Sequence, residues 1–197
     1  PFVLRSPGSD INLLPFLNHW HFIRARKSLR SAQTVICNSK SAVARATDIA
    51  PDANTILLNF ILDFELFANV RRNRHSEVTI VGNRQFKPYY RNDLIVEACS
   101  YLRHHRFRVL LYGTGPDLNY CKSLAKSFSL QNKVEFPGTY NSESVSNVLS
   151  EAGVYVSASN FDGMSQSTLE AMAAGLPVVL SDIGPNKELF EQGAVGE

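Results

Sequence analysis

With 197 residues, 44% of them hydrophobic and 19% charged, the chain reads as globular rather than disordered and can bury one good core or two modest ones. There is no apolar stretch of about 18 residues to make a membrane-spanning helix, and Pro1-Phe2-Val3-Leu4 runs at once into Arg5 and polar residues, unlike a signal peptide. The net charge of +2 hides an asymmetry: residues 1–110 carry 16 Lys and Arg against 8 Asp and Glu, and residues 111–197 carry 4 against 10, a basic half too sparse for nucleic acid but suited to an anionic substrate or membrane surface.

The start lacks Met and is expected to be the interior of a longer protein. Cys37, Cys99 and Cys121 are odd in number and far apart, which favours buried free thiols in a reducing compartment over a disulfide framework or zinc site. Along the chain, His19 to Arg30 reads as a helix whose basic face holds Arg24, Arg26, Lys27 and Arg30. His19 and His21 point to different faces and make a poor metal pair. A basic amphipathic helix of this kind suits a membrane surface. Thr34-Val35-Ile36-Cys37 is a strand, Ser41 to Asp48 a helix and Thr55-Ile56-Leu57-Leu58 a strand. The charged run Arg71-Arg72-Asn73-Arg74-His75 reads as a linker over 67–77. Two or three strands are too few for a complete domain, so residues 1–66 are expected to be the end of a truncated one.

From Val78 onward short β-branched runs alternate with helical spacing. Strands are predicted at Val78–Val81, Arg108–Tyr112, Lys133–Phe136, Val154–Val156 and Pro177–Leu180. Helices are predicted at Asn92–Leu102, Asp117–Phe128, from Ser142 with Glu143 in its first turn, at Thr168–Ala174 closed by Gly175, and at Asn186–Gln192. Such alternation makes a parallel sheet covered on both faces, with ligands at the carboxyl ends of its strands.

The stretch Asn160 to Pro177 is the most informative. Asp162 and Glu170 bracket a small polar loop, Gly163-Met164-Ser165-Gln166-Ser167, with a helix start inside it. Carboxylates accept hydrogen bonds from hydroxyls, and a helix N-terminus with backbone N–H groups attracts phosphate. A ligand that is part sugar and part phosphate, a nucleotide-sugar, meets both chemistries. Glu170 lies among Leu169 and Ala171-Met172-Ala173-Ala174, where an unpaired carboxylate is costly.

With its continuation Val178 to Glu188, this stretch resembles the signature of retaining glycosyltransferase family 4, of the two-domain GT-B fold. The Glu-x7-Glu spacing is kept, with Asp162 in the first position. The resemblance implies two Rossmann-like α/β domains, an acceptor-side one at 1–66 and a nearly complete donor domain at 78–197. It implies that Glu170 binds the nucleotide ribose, that Asp162 contacts donor-sugar hydroxyls, and that backbone groups of Gly163, Met164, Ser165 and Gln166 hold sugar and phosphate.

Val81-Gly82-Asn83-Arg84-Gln85-Phe86-Lys87-Pro88-Tyr89-Tyr90 resembles the family's first donor-domain strand and loop, in which an Arg and a later Lys clamp the diphosphate. Arg84 matches the Arg; Tyr90 falls near the place of the Lys, with Lys87 and Arg91 as nearby cations. Gly113 and Gly115 match a Gly-x-Gly turn beside the donor cleft, and Thr139, with Tyr140, a loop beside the base. Arg5 to Asp10 looks like the acceptor-side segment, with Pro7 where many members have His, and Asp10 reads as a helix cap.

The implied activity is transfer of a sugar from a UDP- or GDP-linked donor to an acceptor hydroxyl with retention of configuration, without metal or cofactor. The acceptor would be a glycan, a lipid-linked or a small molecule. The expected location is cytoplasmic, with peripheral contact at the inner face of a membrane. The rival readings are an inactive nucleotide-sugar-binding relative and a GT-B epimerase. On either active reading this piece alone is expected to be inactive.

Overall fold

Among the described residues the apolar runs form eight strands in two sheets, every pairing parallel. The computed structural model describes residues 2–6, 9–58, 62–68, 70, 77–141 and 144–191. They group into two compact units, one drawn from Pro1–Ile61, Phe161–Ser165 and Asp182–Glu197, the other from Leu62–Asn160 and Gln166–Ser181. The charged run 71–75, the helix start at Ser142 and Glu143, and Pro7, Gly8 and Gln192 lie outside the described residues.

The first unit holds strands β1 (Val3–Ser6), β2 (Thr34–Cys37) and β3 (Thr55–Leu57) in the order β1-β2-β3. Its helices are α1 (Ser9–Asn12), α2 (Leu14–Leu17), α3 (His19–Ser31) and α4 (Lys40–Ile49), with α10 (Gly184–Glu191) from the chain's far end. Asp10 sits inside the first turn of α1, not ahead of it as a cap. Side chains cap the longer helices: Asn18 accepts from the His21 N–H at 3.0 Å and Ser39 from that of Ala42 at 3.1 Å. β2 is central and buries Val35 and Cys37 against Leu29 of α3 and Ala42, Ala46 and Ile49 of α4.

The second unit holds α5 (Glu65–Ala68), β4 (Val78–Gly82), α6 (Asn92–Tyr101), β5 (Phe107–Tyr112), α7 (Leu118–Ser127), β6 (Val134–Gly138), α8 (Val145–Ser150), β7 (Val154–Ser157), α9 (Gln166–Ala173) and β8 (Val178–Leu180). The strand order is β6-β5-β4-β7-β8. Period-two alternation splits the strands between two cores. Val109 and Leu111 face α6 and α7; Leu110, with Val81 and Tyr155, faces α8 and α9. Phe67 of α5 is buried in the second of these cores. The sheet grows one way from β4 through β5 and β6, and the other way through β7 and β8. Between β4 and β7 lies a topological switch point, where such sheets open a crevice at their carboxyl ends.

Two helices begin two residues earlier than the spacing predicts. α9 opens at Gln166, and α10 at Gly184, because Pro185 fits the first turn of a helix, where its missing N–H costs nothing. Gly175 closes α9 with φ 72°, its N–H reaching Met172 O and that of Leu176 reaching Ala171 O. All three cysteines are buried and unbridged; burial pushes the thiol of Cys99 up to about 11 and that of Cys121 up to about 12, so both stay protonated.

Candidate functional site

Three loops at the carboxyl edge of the second unit's sheet are laced by backbone. Phe86 N–H donates to Thr114 O at 2.9 Å, Asp117 N–H to Phe86 O at 3.0 Å, and Gly113 N–H to Gly138 O at 2.7 Å. The loops after β4, β5 and β6 therefore form one surface. The two glycines predicted at the turn are required there. A Cβ on Gly113 (φ 129°) would lie 2.8 Å from the Arg84 carbonyl oxygen, and one on Gly115 (φ 150°) would collide with the Phe86 carbonyl. Thr139, one residue past Gly138, is exposed on this edge. Across the switch point, Asn160 N–H donates to Tyr89 O at 2.9 Å.

Arg84 follows β4 on this surface, its guanidinium 4.2 Å from the Tyr90 ring centroid. The other two predicted cations are placed differently. Lys87 lies 5.8 Å from the Tyr89 ring centroid. Arg91 forks onto Asp93 at 2.9 to 3.2 Å, and that carboxylate holds its guanidinium above the usual range. Arg91 also adopts the left-handed region (φ 48°, ψ 42°), which suits glycine better.

Glu170 stands on α9, half-buried. Burial pushes its carboxyl above the usual carboxylate range, opposed by the Gln166 amide, which donates to Oε1 at 2.9 Å. Asn83, the residue before Arg84, joins Tyr140, expected beside the base, to Tyr155, for which the sequence suggests no role. Asn83 donates its side-chain amide to the Tyr140 hydroxyl and accepts from the Tyr155 hydroxyl at 2.9 Å. Tyr140 stands edge-on to Tyr112, centroids 5.3 Å apart. Burial raises the Tyr140 phenol above its ordinary value; the Asn83 bond and the charge of Arg84 lower it, and the charge of Glu170 raises it. A polar residue wedged between a strand-ending glycine and an arginine was the only signal for Asn83.

The loop 161–165 belongs to the first unit. Asp162 Oδ1 accepts from the Gly163 N–H at 2.9 Å. Asn12 Nδ2 donates to Asp162 O, and Asn38 Nδ2 to Met164 O, each at 3.4 Å. Gly163, Met164 and Ser165 are buried. The loop's backbone is thereby fixed by two asparagines far away in sequence, which no local pattern announces. Among the described residues no group of three His, Cys, Asp or Glu side chains could hold a metal ion.

Comparison with known proteins adds the following. The family model described as glycosyl transferases group 1 matches residues 63–197. The putative colanic acid biosynthesis glycosyltransferase WcaL of Salmonella typhimurium is 31% identical over 109 residues, spanning 51% of this chain and 27% of WcaL. The GPI3 subunit of phosphatidylinositol N-acetylglucosaminyltransferase of Saccharomyces cerevisiae is 24% identical over 203 residues, 95% of this chain and 44% of that protein. The chain therefore spans less than half the length of either relative. Among solved structures, Anabaena Alr3699/HepE in complex with UDP-glucose matches with a TM-score of 0.80 at 15% identity, over 96% of this chain and 55% of that one.

Proposed function

Because the chain belongs to the glycosyl transferases group 1, with parallel α/β units of the Rossmann-like GT-B fold, we propose that it is the donor-binding part of a retaining, family 4 glycosyltransferase. The protein would move a sugar from a UDP- or GDP-linked donor to an acceptor hydroxyl. Arg84 takes the diphosphate charge, Glu170 the ribose hydroxyls and Asp162 the donor sugar. No side-chain nucleophile is assigned; rate comes from positioning and from charge stabilisation on the leaving diphosphate. Lys87, Gly113, Gly115, Thr139, Gly163, Met164, Ser165 and Gln166 line the donor in this reading.

The observation that carries the proposal is the surface of backbone-laced loops after β4, β5 and β6, which sets Arg84 at the carboxyl edge of a parallel sheet beside its topological switch point. A nucleotide's phosphate needs such a cation, and Glu170 on α9 of the same unit supplies the carboxylate for its ribose. Calorimetric titration of the full-length protein with UDP, GDP and their sugars tests it. Binding is expected, weakened about tenfold or more in Glu170→Ala, since hydrogen bonds to a charged group contribute about 1.5–3 kcal/mol. Absence of binding to any nucleotide sinks the reading; unchanged affinity in Glu170→Ala removes the ribose role.

One observation favours a second reading, a nucleotide-sugar-binding relative without turnover. Tyr90 stands where the family resemblance places a second phosphate-binding cation, and Arg91 is engaged by Asp93. Donor binding without turnover across varied acceptors would select it. For the acceptor, the basic face of α3 supports a lipid-linked molecule met by a cytoplasmic protein at the inner face of a membrane.

A further inference from the structure

Tyr90 falls near the place of the family's second phosphate-binding cation. Its ring instead meets the Arg84 guanidinium, with Cζ 4.2 Å from the ring centroid. The ring is held in turn. Pro88 opens a short 3-10 helix, Pro88–Tyr90, whose last N–H donates to Lys87 O at 2.9 Å. Tyr89 stands edge-on to Tyr90, centroids 4.5 Å apart, and its carbonyl accepts from Asn160 N–H at 2.9 Å. The backbone of Arg84 is fixed as well. Asn92, buried at the start of α6, donates its side-chain amide to the carbonyls of Arg84 at 3.3 Å and Gln85 at 3.0 Å. Both partners are carbonyl oxygens, so it is the amide nitrogen that faces them. Cation and ring thus sit on one loop that is tied at both ends. A ring face steadies a cation without cancelling its charge. The contrast is Arg91, whose charge is met by the Asp93 carboxylate at 2.9 to 3.2 Å.

We propose that Tyr90 is a positioning residue of the donor site: its ring holds the Arg84 guanidinium in the orientation that meets the diphosphate of a nucleoside diphosphate. This deepens the donor-site reading above and rests on it. An arginine that must be ordered when its ligand arrives loses conformational freedom at that moment, and one ordered beforehand does not. A site with two cations gains affinity from added charge; this site gains it by preorganising one. Tyr90 acts through Arg84, so its contribution exists only while that cation is present.

The test is a double-mutant cycle on the full-length protein, titrated by calorimetry with UDP and, in parallel, GDP. Tyr90→Leu is expected to weaken binding of the nucleotide that the wild type takes about 3- to 10-fold, the range of one cation–ring contact, and Tyr90→Phe, which keeps the ring, less than about 2-fold. In an Arg84→Ala background Tyr90→Leu should cost less than about 2-fold, because no cation is left to hold. Replacing Tyr90 by trifluorophenylalanine keeps the ring's shape and strips its face of electron density; it should bind about 2- to 5-fold more weakly than Tyr90→Phe. That variant supplies the readout should Tyr90→Leu fail a thermal melt. Equal losses from Tyr90→Leu with and without Arg84 overturn the Tyr90 assignment while leaving the donor site intact. So do equal affinities with the plain and fluorinated rings, or a loss in Tyr90→Phe as large as in Tyr90→Leu. A wild-type protein that binds neither nucleotide overturns the donor site itself, and this inference with it.

Discussion

Glu170 carries a structural cost that the proposed ribose role would turn to use. Its burial favours the protonated form, so the folded chain holds that proton more tightly than an unfolded one. The penalty is absent at low pH and fully present once pH has passed the raised pKa. In the proposed role, two ribose hydroxyls donating to the carboxylate would favour the charged form, so nucleotide binding should expel a proton. Nucleotide affinity is therefore expected to rise with pH through a window above the ordinary carboxylate range, then level off. Because the nucleotide phosphates titrate too, the measurement is the difference between wild type and Glu170→Gln; a difference that stays flat with pH sinks the ribose role. Gly113 is the second residue-scale case. Gly113→Ala forces a side chain into a glycine-only φ and onto the Arg84 carbonyl, a cost of about 1–3 kcal/mol. Nucleotide affinity should fall with stability, because the displaced atom belongs to Arg84; a variant that loses stability but binds normally would uncouple the two loops. Carboxylate spacing and the glycine turn were legible in the sequence because both depend on residue type at fixed offsets. Asn83, Asn12 and Asn38 were not, since each acts through a partner brought near only by the fold.

At the scale of elements, strands and helices of the second unit follow from apolar periodicity, and the departures have local causes such as the Pro185 start of α10. The packing of α10 with α4 has no such local signature. Glu188 is 6% exposed and accepts from the N–H groups of Lys40 at 2.7 Å and Ser41 at 2.8 Å, the first turn of α4. A carboxylate at a helix N-terminus satisfies two orphan donors and meets the positive end of the dipole. Gly184 permits this approach: a Cβ there would stand 3.2 Å from that of Ser41. Glu188→Ala leaves two half-buried donors unmet and should cost the first unit about 1–3 kcal/mol, read as a lower denaturant midpoint. Glu188→Gln keeps one acceptor oxygen and should lose about half as much. Equal midpoints in all three proteins would mean that water replaces the carboxylate without penalty.

At the scale of the whole molecule, the charge asymmetry has a definite address. From Ile11 to Thr47 the chain has no Asp or Glu and six cations, Arg24, Arg26, Lys27, Arg30, Lys40 and Arg45. Some of these are engaged: Arg30 pairs with Asp52 at 2.7 Å, and Arg45 stacks over Phe16 at 4.9 Å. α3 turns Phe22, Ala25 and Leu29 to its own core, and Trp20, Ile23, Arg24 and Lys27 outward. Trp20 is 75% exposed, with Phe16 and Leu17 exposed on the preceding helix. Cations that attract headgroups, interleaved with aromatic and aliphatic side chains that enter the interface, fit an anionic lipid surface better than nucleic acid, which calls for a denser cationic patch. Trp20 is the chain's only tryptophan, so it reports directly on that surface. Vesicles containing anionic lipid should shift its fluorescence to the blue and sediment the protein, whereas neutral vesicles should do neither. Arg24→Ala with Lys27→Ala should weaken partitioning about 5-fold per charge removed, at about 1 kcal/mol per cation near the surface, and added salt should reproduce the loss. Binding to neutral and anionic vesicles alike would assign the attraction to the apolar residues alone, and an unmoved Trp20 spectrum on sedimented protein would place the contact elsewhere.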